Sequence, residues 1–205
     1  MYQTHELVVI IFLFFYFYIL TMNCLIYVLS YKREGKWNEP LEKCIERLNE
    51  LGFSYEVLEG YNYNNYQNIK KTQVCYKNFV DKFLKSAIDN KKNYDGFIYL
   101  EDDTYIINDI ELFPENNIQW LGHWNKKENY TYGASMIYVP KNKLVGLYYN
   151  MKADRPIHLD YYLYKKKNEY NITIHDIPQG LEISHISMNT LKYRKHKYML
   201  KNLKT

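Results

Sequence analysis

"GFIYLEDDTYI", residues 96–106, decides how this chain is read. A buried-looking run, Gly96 to Leu100, leads straight into three adjacent carboxylates, Glu101, Asp102 and Asp103. A continuous apolar run of that length suits a strand covered on both faces, as in a parallel sheet. Three carboxylates at the end of such a strand repel one another unless a cation joins them. Side chains repeat every two residues along a strand, so Glu101 and Asp103 are expected to share one direction. Oxygen-only ligands at such a rim suit Mg²⁺ or Mn²⁺, which complete their shells with water and substrate phosphates. An ion so held could clamp a diphosphate and stabilise it as a leaving group. The plainer account is an acidic turn in water, or Asp102 or Asp103 capping a helix that begins at 104–106.

The flanking sequence gives this strand its neighbours. "CLIYVLS", residues 24–30, is another continuous apolar run. After a polar loop, Asn38 can cap a helix with Pro40 in its first turn. Leu41, Ile45, Leu48 and Leu51 recur there at helical spacing, and Gly52 ends it. "FSYEVLE", 53–59, is the next strand, so the opening is β-α-β and predicts a right-handed crossover and a parallel pair. A polar loop over 60–71 precedes a helix expected over 72–90, and then the strand at 96–100. "IQWLGHW" (118–124) and "YGASMIYV" (132–139) read as strands, and Pro140 as the opening of a helix through Met151. "HLDYYLYKKK" (158–167) reads as a short helix and "NITIHDI" (171–177) as the final strand. The alternation predicts a single α/β domain with a mostly parallel, Rossmann-like central sheet flanked by helices. Ligands of such sheets bind beyond the carboxyl ends of the strands, where Ser30 and Glu101–Asp103 stand.

Composition bounds the rest. The chain has 205 residues. That is room for one domain with a sizeable core. Tyrosine is abundant at 24 copies, alongside much Asn and Lys, which is read first as codon bias and not as 24 stacking platforms. Residues 191–205 hold six of the 27 basic residues and no acid, leaving a body with 21 basic against 23 acidic side chains. That tail could meet phosphates or an anionic membrane surface, and its simplest form is a solvated terminal helix. The tail is the one feature that speaks for nucleic acid, and no nucleic-acid partner is expected. Cys24, Cys44 and Cys75 are too few and too widely spaced for a disulfide framework or a zinc site. Cys24 and Cys75 lie in apolar patterns and are expected to be buried thiols.

"LVVIIFLFFYFYIL", residues 7–20, is apolar without a break. It is shorter than the stretch of roughly 20 residues that spans a bilayer. Two readings follow for residues 1–22. One is a short signal anchor over 7–22 that makes the protein membrane-associated. The other is an extension upstream of a start at Met22, which makes it cytoplasmic. Asn129-Tyr-Thr and Asn171-Ile-Thr would be glycosylation acceptors only in a lumenal protein.

Five stretches in order resemble glycosyltransferase family 25, the group of lipooligosaccharide and collagen galactosyltransferases. "IYVLSYKREGKW" resembles its opening strand and polar loop. "LNELGFSYEVLEGYN" resembles its "LG…(Y/F)E…DG" segment, and "GFIYLEDDTYI" its "LEDD" motif. "YGASMIYVPKNKLVGLY" and "PIHLDYYL" resemble its later strand–helix and "P.D..L" segments. The resemblance covers about residues 23–190, leaving 191–205 as a basic tail.

It implies the GT-A fold and a metal-dependent transfer of a hexose, galactose or glucose, from a UDP-sugar. Carried residue by residue, it implies that Asp103 with Glu101 or Asp102 holds Mn²⁺ or Mg²⁺ on the diphosphate. Val28, Leu29 and Ser30 would lie against the nucleotide, and Arg33 near a phosphate or the ribose. Asp160 would be the general base of an inverting transfer, taking the acceptor's proton. As a plain structural residue, Asp160 is a carboxylate in a first helical turn. A late His ligand is expected at His185, with His175 the other candidate. Gly133 and Ala134 would let a sugar approach closely, or only pack. The chain departs from the family at "VCYKNFV", where Lys77 and Asn78 replace a Ser-His pair. That departure bears on donor choice and on activity, although Lys77 could still meet a phosphate. A catalytically degenerate relative that binds a glycan or a partner is the competing class. Phosphotransfer or nuclease chemistry is disfavoured by the lack of a Gly-rich phosphate loop and of a second acidic cluster.

Overall fold

The computed structural model describes residues 23–30, 39–61, 71–106, 117–125, 130–155, 158–176, 183–186 and 193–194. Residues 1–22, Asn38, Asn129 and most of the basic tail lie outside them. Among the described residues, no helix is long and apolar enough to cross a membrane.

The fold is a mixed α/β, Rossmann-like arrangement around a six-stranded sheet. Strand β1 (Cys24–Ser30) pairs in parallel with β2 (Tyr55–Glu59) on one side and β3 (Gly96–Glu101) on the other. The order continues through β6 (Tyr130–Pro140) and β5 (Ile118–Asn125) to β7 (Ile172–Asp176). Among the described strands of this sheet, only β6 runs antiparallel to its neighbours. Helix α1 (Glu39–Glu50) makes the β1–β2 crossover, and Gly52 follows it at φ 71°. That left-handed value suits glycine, which has no Cβ to clash.

Because β1 and β3 are apolar on both faces, helices cover both. On one face Val28, Ile98, Leu100, Leu121 and Met136 pack with Cys44 and Leu48 of α1. On the other, Tyr27, Phe97, Tyr99, Trp120, Ile137 and Val139 meet the helices described next. Among the described residues Tyr27, Tyr99, Tyr138 and Tyr162 are core material. Tyr27 stacks on Phe97 at 6.1 Å, and Tyr99 meets Phe79 edge-on at 5.3 Å. Both are arrangements that aromatic pairs favour.

The helix expected over 72–90 is three pieces: α2 (Lys71–Lys77), a π-helical stretch Asn78–Leu84, and α3 (Lys85–Asn90). Within the π-helical stretch Phe79, Val80, Phe83 and Leu84 all pack against the sheet, fully buried. The helix expected from Pro140 begins instead at Leu144, as α4 (Leu144–Asp154). Pro140 closes β6, and its carbonyl accepts the Lys143 N–H at 2.9 Å in the intervening turn. Helix α5 (Leu159–Lys165) buries Leu159, Tyr162 and Leu163 on the same side as α4.

A second sheet joins β4 (Thr104–Ile106), β8 (Ile183–Ile186) and β9 (Tyr193–Arg194). This corrects two expectations. Strands follow β7, and the described part of the tail is a strand in place of a helix. β9 exists because β8 offers it an edge, pairing His185 with Arg194 and Ile186 with Tyr193. The thiols also differ from expectation: Cys44 is buried, whereas Cys24 and Cys75 are half-buried.

Candidate active site

The strand order places a switch point beside β1. The chain builds β2 on one side of β1 and then crosses to build β3 on the other. The two connections leave in opposite directions, which opens a crevice beyond the carboxyl ends of β1 and β3.

Ser30 and the acidic turn meet at that end of the sheet. The Ser30 hydroxyl donates to Asp102 Oδ2 at 2.6 Å, and the Asp102 N–H donates to the Leu29 carbonyl at 3.2 Å. Asp102 is 2% exposed and Ser30 7%. Burying a carboxylate is costly unless it gains hydrogen bonds of this kind. Glu101 and Asp103, on either side of it, are half-buried. The ladder between β1 and β3 ends at the Leu29–Glu101 pair, and Asp102–Asp103 form the turn into β4. The pleat therefore does not extend to Asp103, although exposure still alternates across the triplet.

Helix α1 supports this turn from beneath. Cys44 is buried there, and its thiol is pushed up to about 12 by burial first and then by the negative charge of Asp102 and Asp103. Both influences disfavour the thiolate. Arg47, one turn on, donates through Nε to the Ile106 carbonyl at 2.7 Å, and its guanidinium lies 5.9 Å from the centre of the Tyr105 ring. Arg47 thus holds β4 in place. The sequence reading missed it, because an arginine on a helix flank carries no signal of a partner 59 residues away. Thr104, fully buried, donates from its hydroxyl to the Ser135 carbonyl at 3.4 Å and ties β4 to β6.

The other expected residues fall as follows. Val28 and Leu29 have buried side chains, and their backbones sit in ladders with β2 and β3 on both sides. Arg33 lies outside the described residues. His185 pairs across the small sheet with Thr104, which brings its backbone next to the acidic turn. His175 pairs with Leu121 at the far edge of the main sheet. Gly133 and Ala134 lie in β6 beyond its last rung with β3, where its register with β5 shifts between Leu121 and His123. Asp160 is half-buried in the first turn of α5, in the helical layer opposite α1. Its N-cap, His158, is extended and makes no capping side-chain bond. Among the described residues, no three His, Cys, Asp or Glu side chains form a ready-made metal-ligand group.

Beyond β2 the same rim continues. The Gly60 N–H donates to the Ser30 carbonyl at 2.6 Å, and the Tyr61 N–H donates to Asn78 Oδ1 at 2.6 Å. Asn78, 3% exposed, is thereby engaged by the backbone that leaves β2. The sequence reading placed Asn78 in a departure from a motif and did not see this role.

No family model matches the chain. No curated protein matches it in sequence. Its fold is similar to a solved one, the crystal structure of a glycosyltransferase involved in the glycosylation of the major capsid of PBCV-1. The two agree with a TM-score of 0.54 at 14% identity, over 76% of this chain and 83% of that one. The likeness defines the class of fold, a glycosyltransferase-type Rossmann-like sheet.

Proposed function

We propose that this protein is a glycosyltransferase that moves a hexose, galactose or glucose, from a UDP-sugar to a glycan, glycolipid or glycoprotein acceptor, with inversion. The observation that carries the reading is the acidic turn Glu101–Asp103, hooked to Ser30 at the switch point of a glycosyltransferase-type sheet.

The donor set fits a hard divalent cation. Glu101 and Asp103 are half-buried and supply oxygen only. One or two carboxylates suffice when phosphates and water complete the shell. In this proposal Asp103 and Glu101 hold Mn²⁺ or Mg²⁺, with His185 as a further ligand. Bound there, the ion would offset the charge that gathers on the departing diphosphate. Asp102 and Ser30 hold the turn so that Asp103 faces the donor. Asp160 takes the proton from the acceptor hydroxyl as that oxygen attacks the anomeric carbon. The bond from that carbon to the diphosphate breaks, and the nucleoside diphosphate leaves.

Calorimetry on the full chain, titrating UDP with and without Mn²⁺, tests the proposal. Mn²⁺-dependent binding that is lost in Asp103→Ala is the expected result, and a screen for UDP-sugar hydrolysis follows from it. A folded protein that binds none of UDP, GDP, CMP or dTDP, with or without metal, would overturn it. The competing reading, a glycan- or partner-binding module, would then stand. Its supporting observation is that Asn78, at the altered motif, is committed to the Tyr61 backbone.

A further inference from the structure

The rim of the sheet carries two opposite charges, and one chain of hydrogen bonds connects them. It runs from Asp102 to Ser30, on to Gly60, and from its neighbour Tyr61 to Asn78. At the Asp102 end stand the carboxylates. At the Asn78 end stand two lysines, Lys77 and Lys82, with their ammonium groups 5.9 and 4.7 Å from the centre of the Tyr61 ring.

The π-helical stretch makes that pairing. In an α-helix, with about 3.6 residues per turn, residues five apart point roughly 140° away from each other. Where hydrogen bonds run five residues apart, the turn is wider and those two positions come round toward one side. The stretch Asn78–Leu84 begins one residue after Lys77, so Lys77 and Lys82 converge on one ring. Turns of this kind recur at functional sites. The acid on the same stretch, Asp81, is engaged elsewhere, by Lys152 at 2.6 Å. Two ammonium groups therefore stand against one aromatic ring, on the segment that leaves β2 next to Ser30.

We infer that Lys77 and Lys82, gathered on Tyr61 by the π-helical turn, form the subsite that recognises the diphosphate of the donor nucleotide. This rests on the glycosyltransferase reading and names the chain's own source of positive charge for it. The diphosphate spans the rim between the lysines and the acidic turn, so the phosphates are met from both flanks. Lysine suits this task as a compact charge with three donors, placed where a bulky planar group is not required.

The test uses the full chain and three probes: UDP, uridine and inorganic pyrophosphate. Lys77→Gln, Lys82→Gln and the double variant are compared with the parent by calorimetry at two salt concentrations, with thermal melting as a check on folding. Each single variant is expected to weaken UDP roughly tenfold, the double variant by about a hundredfold, and to flatten the salt dependence. Uridine binding should not change, and pyrophosphate should lose affinity in parallel with UDP. Lys77→Arg and Lys82→Arg should restore most of the affinity, which separates charge from packing. If the parent binds UDP and the folded double variant binds it equally well, the subsite is overturned and the glycosyltransferase reading stands. If all three probes weaken equally, uridine included, the lysines shape the site without meeting phosphate, and the subsite is again overturned. A parent that binds no nucleotide at all would overturn the functional reading and this inference with it.

Discussion

Asp95 and Asp102 flank the same strand, β3, one residue before it and one residue after. Both hook β3 to β1. At the amino end, the Asp95 N–H donates to the Asn23 carbonyl at 2.8 Å, and Asp95 Oδ2 accepts the Asn23 N–H at 3.3 Å. At the carboxyl end, the Asp102 N–H reaches Leu29, and its Oδ2 accepts from Ser30. The residue type and the stitch are the same, and the surroundings are not. Asp95 is exposed, and water carries its charge at little cost. Asp102 is buried between two further carboxylates, over a thiol. A fold that holds a carboxylate there bears a desolvation cost of several kcal/mol that it avoids at the other rim. The difference separates a stitch from a candidate site.

Mutation of the two rims should separate them in the same way. The largest effect is expected from Asp103→Ala, which should cost about 2–5 kcal/mol of metal-dependent UDP affinity in calorimetry. Asp95→Ala should leave that affinity unchanged, and equal losses from both would break the comparison. Next is Gly96→Ala. An added Cβ would overlap the Tyr138 ring at Cε2 and Cζ, so the ring must move. Urea unfolding should show a loss of about 3 kcal/mol. The folded fraction should still bind nucleotide, because this damage lies at the amino rim.

A sharper contrast sets Ser30→Ala against Asn23→Ala. The first removes a donor from a buried carboxylate. It should cost about 2 kcal/mol in the same unfolding measurement. The second removes an exposed bond from Asn23 Nδ2 to the Asn93 carbonyl. It should cost about 0.5 kcal/mol. The last effect is confined to alkali. Cys24 near one rim and Cys44 beneath the other are both pushed up to about 12, burial being the main cause. Their unfolded value is near 9.0, so between pH 9 and 12 the unfolded chain releases protons that the folded chain keeps. Their contribution to stability is therefore full below that window and falls as pH rises through it. Denaturant midpoints across that range, with Cys44→Ala as a flatter reference, measure it.

Some of this was legible in the residues. The runs at 24–30 and 96–100 are apolar without a break, and that continuity places them in the middle of a sheet covered on both faces. Gly52 ended its helix as its position suggested. The acidic triplet stood where a strand had to stop. Other features were not legible. The helix over 71–90 hid a change of hydrogen-bond register, because apolar spacing of about four residues suits α and π turns alike. Cys44 was passed over, although it stands three residues after Leu41 and four before Leu48, on the stripe of α1 that packs against the sheet.

The sequence by itself determined which segments could be strands and helices, and that negative charge gathers at the end of β3. Those properties are local: they follow from side-chain period, from glycine's left-handed backbone and from the chemistry of adjacent residues. Tertiary structure alone decided which carboxylate is buried. It chose Asp102, because Ser30 arrives from 72 residues away to donate to it. It likewise gathered Lys77 and Lys82 on Tyr61 and gave β9 an edge to pair with. A charge acquires its role from what packs around it, and that is set by pairings between distant parts of the chain.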